Sequence, residues 1–274
     1  MDYFSLMERR LAGAEKNVPA RLGGKRVIRE FCDLIGINTP SVLQVDILEK
    51  LDQKKLPEYF VLKPSFASTS IGVYLLKKSG NNFFDILKNK EYTWNEIKTK
   101  CNDVAKRYFG ENNETAIFII EELLIDGNGK APPDDIRFYA FQGEIGLILK
   151  EDHMTSNRVE SMYFDGNFLP FTDLENRYSI AETAKNSEII IDAIVPENWQ
   201  ALLNVAKRIS YSVPTAFARI DLYDTPKGIY LGEVTLTPGT FYYKNRKLMS
   251  KSEASRLGRL WLDAEKRMQG SKGY

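Results

Sequence analysis

Residues 217–239, FARIDLYDTPKGIYLGEVTLTPG, constrain the fold of this chain more than any other stretch. Phe217 to Tyr223 alternates apolar and polar residues, and Ile229 to Thr237 does so in part. Between them, Asp224-Thr225-Pro226-Lys227-Gly228 is turn chemistry, so the pattern predicts a β-hairpin. Side chains on a strand change face at every residue. Arg219 and Asp221 therefore share one face, and Glu233, Thr235 and Thr237 share one. A five-residue turn pairs Tyr223 with Ile229 and Arg219 with Glu233, which brings both charged sets to the same face; a four-residue turn separates them. Two carboxylates beside hydroxyls suit a hard cation such as magnesium (Mg2+), which takes oxygen ligands and keeps waters for a phosphate. A solvated face with an Arg–Glu cross-strand pair, worth a few tenths of a kcal/mol to about 1, fits the same residues.

Composition narrows the metal chemistry. The 274 residues include one histidine, His153, and two cysteines, Cys32 and Cys101. That excludes a His/Cys zinc cage and a disulfide framework, so any metal is held by carboxylates. The net charge of +1 gives no global field for nucleic acid or a membrane surface. The N-terminal residues carry no signal-peptide core, and no apolar run approaches the ~20 residues of a membrane span. The expectation is a cytoplasmic protein with reduced thiols.

Helices are predicted over residues 2–12, with Phe4, Met7 and Leu11 on one face, and over Lys25–Ile35, with Ile28, Phe31, Cys32 and Ile35 on one face. Lys25 and Arg29 stand a turn apart on the other side of the second helix, where a solvated basic face is the simpler reading. An apolar strand, Tyr59–Leu62, ends in Lys63-Pro64 and leads through the hydroxyl-rich loop 65–72 to a second strand, Val73–Leu76. Such a loop can wrap phosphates with its backbone N–H groups. It is not a Walker A loop, and an ordinary hairpin tip reads equally well. Thr93–Tyr108 is a helix with a Thr93/Glu96 capping box and with Cys101 in its buried stripe. The strand Ala116–Ile120 runs into Glu121-Glu122-Leu123-Leu124. Carboxylates there need a donor if buried; an adenine amino group or a ribose hydroxyl would supply one, and simple exposure would remove the need.

A hairpin of Ile136–Phe141 and Glu144–Lys150 places Arg137, Tyr139 and Phe141 on one face. Residues 151–193 are polar and weakly periodic, with short strands near Tyr163 and Ile190. They read as a long connection too polar to build a core, of the kind that is functional or disordered. His153 in it reads as solvent-facing. Arg158 and Arg177 lie there too; either could pair with a substrate carboxylate bidentately, and solvation is the other reading. A helix follows from Pro196 to Ile209, with proline at its start. The C-terminal helix is capped by Ser250 and Glu253.

The order of these elements resembles the ATP-grasp superfamily and, more narrowly, the TupA-like ATP-grasp family named for teichuronopeptide synthesis. The residues that carry the resemblance are Gly24-Lys25 through Arg29-Glu30, the run Asp134 to Gly143, Val195 to Asn198, Phe217 to Tyr223 and Gly232 to Gly239. The resemblance implies an α+β fold in which two α+β lobes clamp ATP, with a short helical N-terminal region. The boundaries expected are 1–58 for that region, 59–125 for the small lobe, and 126–274 for the large lobe with the metal site and C-terminal helix. It implies that Lys63 neutralises the α- and β-phosphates, with Lys25 and Ser68 also on the nucleotide. Glu121, Glu122 and the backbone of Leu124 would meet the adenine. Arg137 would face the γ-phosphate or substrate, Arg219 would steady the transferring phosphoryl group, and Asp221, Glu233 and Thr235 would hold magnesium. Thr235 stands where many ATP-grasp ligases carry Asn, which leaves the number of metals open.

The function so implied is an ADP-forming carboxylate–amine ligase that makes an amide through an acyl phosphate, in cell-surface polysaccharide modification. Its partners would be a small-molecule or glycan carboxylate and an amine acceptor, with Arg158 and Arg177 on the substrate. A kinase on the same fold and a nucleotide-binding protein without turnover are the alternatives.

Overall fold

The chain opens with helices α1 (Tyr3–Leu11) and α2 (Lys25–Leu34) in a computed structural model that describes residues 1–16, 18–67 and 71–270, the side chains of Gly23 and Lys25 excepted. Asp2 starts α1 by accepting a hydrogen bond from the Ser5 amide at 2.8 Å. Tyr3, Leu6 and Met7 are its buried stripe, with Leu6 and Met7 each contributing about 1.5–3 kcal/mol on burial.

Residues Pro40–Pro132 form the smaller of two compact units. Its strands are β1 (Val42–Ile47), β2 (Tyr59–Pro64), β3 (Tyr74–Ser79), β4 (Asn82–Asp85), β5 (Lys90–Tyr92) and β6 (Ile117–Glu122). They make one antiparallel sheet in the order β1-β6-β2-β3-β4-β5. Helix α3 (Trp94–Phe109) starts with the capping box expected of Thr93 and Glu96. Its stripe of Ile97, Cys101 and Ala105 joins one core with Phe60, Leu62, Tyr74, Leu76, Phe118 and Ile120. Those sheet residues occupy alternate positions, so the opposite face carries Val61, Lys63, Ile119 and Glu121.

The larger unit takes residues Met1–Thr39 and Pro133–Tyr274. Its main sheet has the order β11-β9-β8-β7-β12-β13. The strands are β7 (Asp135–Phe141), β8 (Glu144–Asp152), β9 (Val159–Phe164), β11 (Glu188–Ile190), β12 (Ala218–Thr225) and β13 (Gly228–Thr235). A two-stranded sheet pairs β10 (Tyr178–Ile180) with β14 (Lys247–Met249). Helices α4 (Trp199–Ser212), α5 (Gly239–Tyr242) and α6 (Lys251–Gly270) complete the unit. One face of the sheet packs Phe138, Ala140, Ile148, Ile220 and Val234 against Leu202, Ala206 and Ile209 of α4. The other packs Tyr139, Phe141, Leu147 and Leu149 against α1 and against Leu257, Trp261 and Ala264 of α6.

Several expectations change in detail. The division into units places residues 1–39 with the larger unit and 40–58 with the smaller, rather than in a region of their own, because α1 finds cover for its stripe on Phe217 and Trp261. Helix α4 begins at Trp199, since Pro196 sits in the preceding turn and its carbonyl accepts from the Trp199 amide. Residues 151–193 are not too polar for a core: Tyr163, Phe164, Phe168 and Tyr178 are all buried, spaced among turn residues that hide them from a periodicity reading. Glu253 is buried and bonded to Tyr178, Arg177 and Arg256, while Ser250 Oγ accepts from the Glu253 amide.

Candidate functional site

The hairpin of residues 217–239 forms, with a tighter turn than the sequence predicts. Thr225 pairs with Gly228, which leaves Pro226-Lys227 as a two-residue turn. Tyr223 then pairs with Tyr230, a register that by itself would put Glu233 on the wrong face. A β-bulge corrects it. Leu222 pairs with Leu231 and Asp221 with Glu233, so Gly232 is the extra residue. A Cβ on Gly232 would lie 2.5 Å from the Tyr223 ring, so any other residue at the bulge requires that ring to move. Beyond the bulge Arg219 pairs with Thr235. Arg219, Asp221, Glu233 and Thr235 therefore share one face, as expected, through pairs shifted two residues from those predicted.

On that face the charges bond to each other. Arg219 grips Asp221 bidentately, Nε to Oδ1 at 2.7 Å and Nη2 to Oδ2 at 2.6 Å. Arg219 also donates to Thr235 Oγ1 at 3.1 Å and to Thr240 Oγ1 at 3.3 Å, and Glu233 Oε2 lies 3.7 Å away. Burial opposes the charge on Arg219, but the carboxylate of Asp221 outweighs it and raises its pKa. Asp221 is 4% exposed, while the Glu233 side chain is 63% exposed. Carboxylate, carboxylate and hydroxyl oxygens are the donor set a magnesium ion takes. A carboxylate has about four lone-pair sites, so Asp221 can serve both Arg219 and a cation.

The ionic face continues into the neighbouring strands. Asp221 is the register partner of Arg137 on β7, and Asp135 of Glu151 on β8. Arg137 donates to Asp135 at 2.6 and 2.9 Å, contacts Glu151, and lies 3.9 Å from Asp221. Lys247 on β14 joins Glu151 to Glu188 on β11, all three about 1% exposed. Burial pushes the Asp135 carboxyl up to about 6, with Arg137 offsetting part of the effect. Burial acts the same way on Glu151, but Arg137, His153 and Lys247 overcome it and hold that carboxyl well below the usual range. Asp135, Glu151 and His153 bring ligand atoms within 4.8 Å of one another. Arg137 and Lys247 already neutralise these acids, so the trio reads as an ion-pair network rather than a second cation site. His153 is exposed, as expected. Glu151 was legible in principle, since Leu147, Leu149 and Glu151 alternate onto one face. Lys247, on a three-residue strand, gave no signal.

In the smaller unit Lys63 and Glu121 occupy the face opposite α3 and form an ion pair. Glu122 is the register partner of Phe60 and points to the other side of β6, where the Ser41 amide donates to it at 3.4 Å. The two acids are thus separated by the alternation of the strand. Leu124 is buried just past β6. Ser68 and the side chain of Lys25 lie outside the described residues.

Of the two arginines in residues 151–193, Arg158 is exposed. Arg177 has carboxylate partners of its own: Asp173 at 2.7 Å and Glu253 at 2.8 Å, with the Phe171 ring 4.9 Å away. These two bonds use two of the five N–H donors of Arg177. No helix among the described residues is long and apolar enough to cross a membrane.

This arrangement of sheets and helices is the ATP-grasp fold. It superposes on D-alanine–D-alanine ligase from Bacillus anthracis with a TM-score of 0.52 at 17% identity, over 91% of this chain and 69% of that one. A RimK domain ATP-grasp protein from Sphaerobacter thermophilus DSM 20745 gives 0.45 at 12%, over 89% and 67%. L-amino acid ligase from Bacillus licheniformis gives 0.42 at 17%, over 79% and 40%. The chain spans 40 to 69% of the length of these three proteins. No curated protein matches the chain. The family model of TupA-like ATPgrasp matches residues 5–257, and the chain belongs to that family.

Proposed function

We propose that this protein is an ATP-dependent carboxylate–amine ligase that releases ADP and acts in modification of a cell-surface polysaccharide. The observation that carries the reading is the bulged hairpin, which sets Asp221, Glu233 and Thr235 around the Arg219 guanidinium on one face. Membership of the TupA-like ATPgrasp family supports it, and the solved ligases of the same fold are consistent with it.

In this reading Asp221 and Glu233, with Thr235, hold magnesium, which supplies neutralisation of phosphate charge. Arg219 and Arg137 steady the γ-phosphoryl group as it leaves ATP. Lys63 exchanges Glu121 for the α- and β-phosphates, and Glu121 then accepts from the adenine or ribose. The substrate carboxylate oxygen attacks the γ-phosphorus, the bond to the β-phosphate oxygen breaks, and ADP and an acyl phosphate result. An amine then attacks the acyl carbon, phosphate departs, and the ammonium proton passes to solvent. Such chemistry needs position and charge neutralisation more than an acid–base pair, which suits a chain with one exposed histidine. Arg158 and Arg177 are the substrate-side cations in this scheme.

The test is product analysis with a panel of uronic acids and amino acids as carboxylates and simple amines as acceptors. The reading expects ADP, phosphate and an amide, and a hydroxamate when hydroxylamine replaces the amine. AMP with pyrophosphate would reject the mechanism, and a stable phosphate ester would make the protein a kinase.

A further inference from the structure

Arg10 lies in the last turn of α1 and is 5% exposed. All five of its N–H donors are taken. Nε and Nη2 donate to the Glu15 carboxylate at 2.7 and 2.8 Å, and Nη2 donates to Thr215 Oγ1 at 3.0 Å. Nη1 donates to two carbonyls, Phe217 at 2.9 Å and Leu236 at 2.7 Å. The guanidinium carbon lies 4.4 Å from the centre of the Trp261 ring. Phe217 is the residue before β12 and Leu236 the residue after β13. One nitrogen therefore joins the two strands at the open end of the hairpin, just past the last ladder pair, Arg219 with Thr235.

Strand β13 is the edge of its sheet. On its outer side it has an isolated bridge between Asn38 and Tyr230 near the turn, with the Leu231 amide donating to the Asn38 carbonyl at 2.8 Å. The edge strand is thus held near its turn by Asn38 and at its open end by Arg10, and Glu233 sits between the two. Arg10 is itself anchored. The backbone of Asp2 lies so close to α6 that a Cβ on Gly258 would meet the Asp2 Cα at 2.7 Å, and Arg9 pairs with Glu265.

We propose that Arg10 is a positioning residue for the metal site: by fixing the gap between β12 and β13, it sets the spacing of Asp221, Glu233 and Thr235. The proposal rests on the reading of that face as a magnesium site. It makes α1 part of the site's support as well as a cover for the core. Lysine cannot replace Arg10, because an ammonium cannot bind Glu15 bidentately and reach both carbonyls and Thr215 together.

The experiment is Mn2+ binding in the presence of saturating ADP, read from the electron paramagnetic resonance signal of the unbound ion, beside thermal unfolding of each variant. Arg10→Lys, folded at the assay temperature, is expected to bind Mn2+ about 3- to 10-fold more weakly, less than the ~10- to 100-fold lost when a direct outer-shell partner is removed. Asp221→Asn is the reference and should lose the binding. Loss in Asp221→Asn with unchanged affinity in folded Arg10→Lys overturns the positioning role alone, whatever the melting temperature does. Retained binding in Asp221→Asn overturns the metal reading, and the proposal with it. Should Arg10→Lys fail to fold, Glu15→Gln decides: it loosens the guanidinium while leaving both carbonyl bonds, so weaker binding supports the proposal and unchanged binding overturns it.

Discussion

The two faces of the larger sheet are built by the same strands, residue by alternate residue, yet they are held by different physics. The face under α4 is apolar at its centre, with Phe138, Ile148, Ile220 and Val234 fully or almost fully buried, and carries an ion pair of Lys150 with Asp134 further along β8. The opposite face is apolar only where Tyr139, Phe141 and Leu147 meet α1 and α6. Further along β7 and β8 it becomes a run of ion pairs: Asp221, Arg137, Asp135, Glu151 and Lys247. An apolar face of that area would stabilise the fold without any desolvation of charge. A buried ion-pair face is weak evidence for stability, since desolvation offsets most of the attraction. The charged half of the sheet therefore contributes less net stability than its area suggests, and under the proposed function its Asp221 end serves the metal of the nucleotide.

Substitutions on the two faces should separate these roles. The largest effect falls on the apolar side: Phe138→Ala should cost about 3–5 kcal/mol of stability, measured by urea unfolding, and leave the ATP affinity of the folded fraction unchanged. On the charged side Glu151→Gln leaves Arg137 and Lys247 with less counter-charge and should cost about 3 kcal/mol at neutral pH. Its pH dependence sharpens the contrast. Glu151 is held below its ordinary value of 4.5, so its stabilisation is present above that pH and lost as the pH falls through and below it. The wild type should lose stability over that interval, and Glu151→Gln should lose less. Asp135 acts in the opposite sense: with its carboxyl raised to about 6 from 3.8, protonation between those values favours the folded state. Unfolding free energies at pH 7, 5 and 3.5 check both signs.

A smaller cost is expected at the bulge. Gly232→Ala drives a methyl group into the Tyr223 ring and should cost about 1–3 kcal/mol. If the ring yields and the register holds, the metal response survives. If the bulge is lost, Glu233 leaves the face and the response goes with it. Hydrogen exchange of the β13 amides distinguishes the two.

Much of this contrast was legible in the sequence. Alternation along residues 136–141, 144–150 and 217–237 placed Arg137, Arg219 and Asp221 on strands, with Arg219 and Asp221 on one face. The register was not legible, because turn residues extend beyond the turn: Asp224, Thr225 and Gly228 read as a loop but continue the ladder. A glycine inside a strand pattern does mark a bulge, and Gly232 was the available signal. Strand β1 was missed because Val42, Leu43 and Val45 on this edge strand are exposed and do not alternate cleanly. Lys63 and Glu121 were each visible at strand ends, but their pairing depends on β6 lying beside β2, which follows from sheet order and not from local pattern. Arg10 carries no local signal, because only the tertiary fold brings it to two carbonyls some 200 residues away.

The central claim is that the hairpin face binds magnesium with the nucleotide, and Glu233 tests it with the least disturbance to the fold. Its side chain is exposed and approaches Arg219 at 3.7 Å, so Glu233→Gln should stay within about 0.5 kcal/mol of the wild-type stability. Calorimetric titration with ATP, with and without magnesium, then gives the answer. The account predicts that wild type binds ATP more tightly with magnesium, and that Glu233→Gln keeps the magnesium-free affinity but loses the gain. An equal magnesium-dependent gain in both proteins would contradict it.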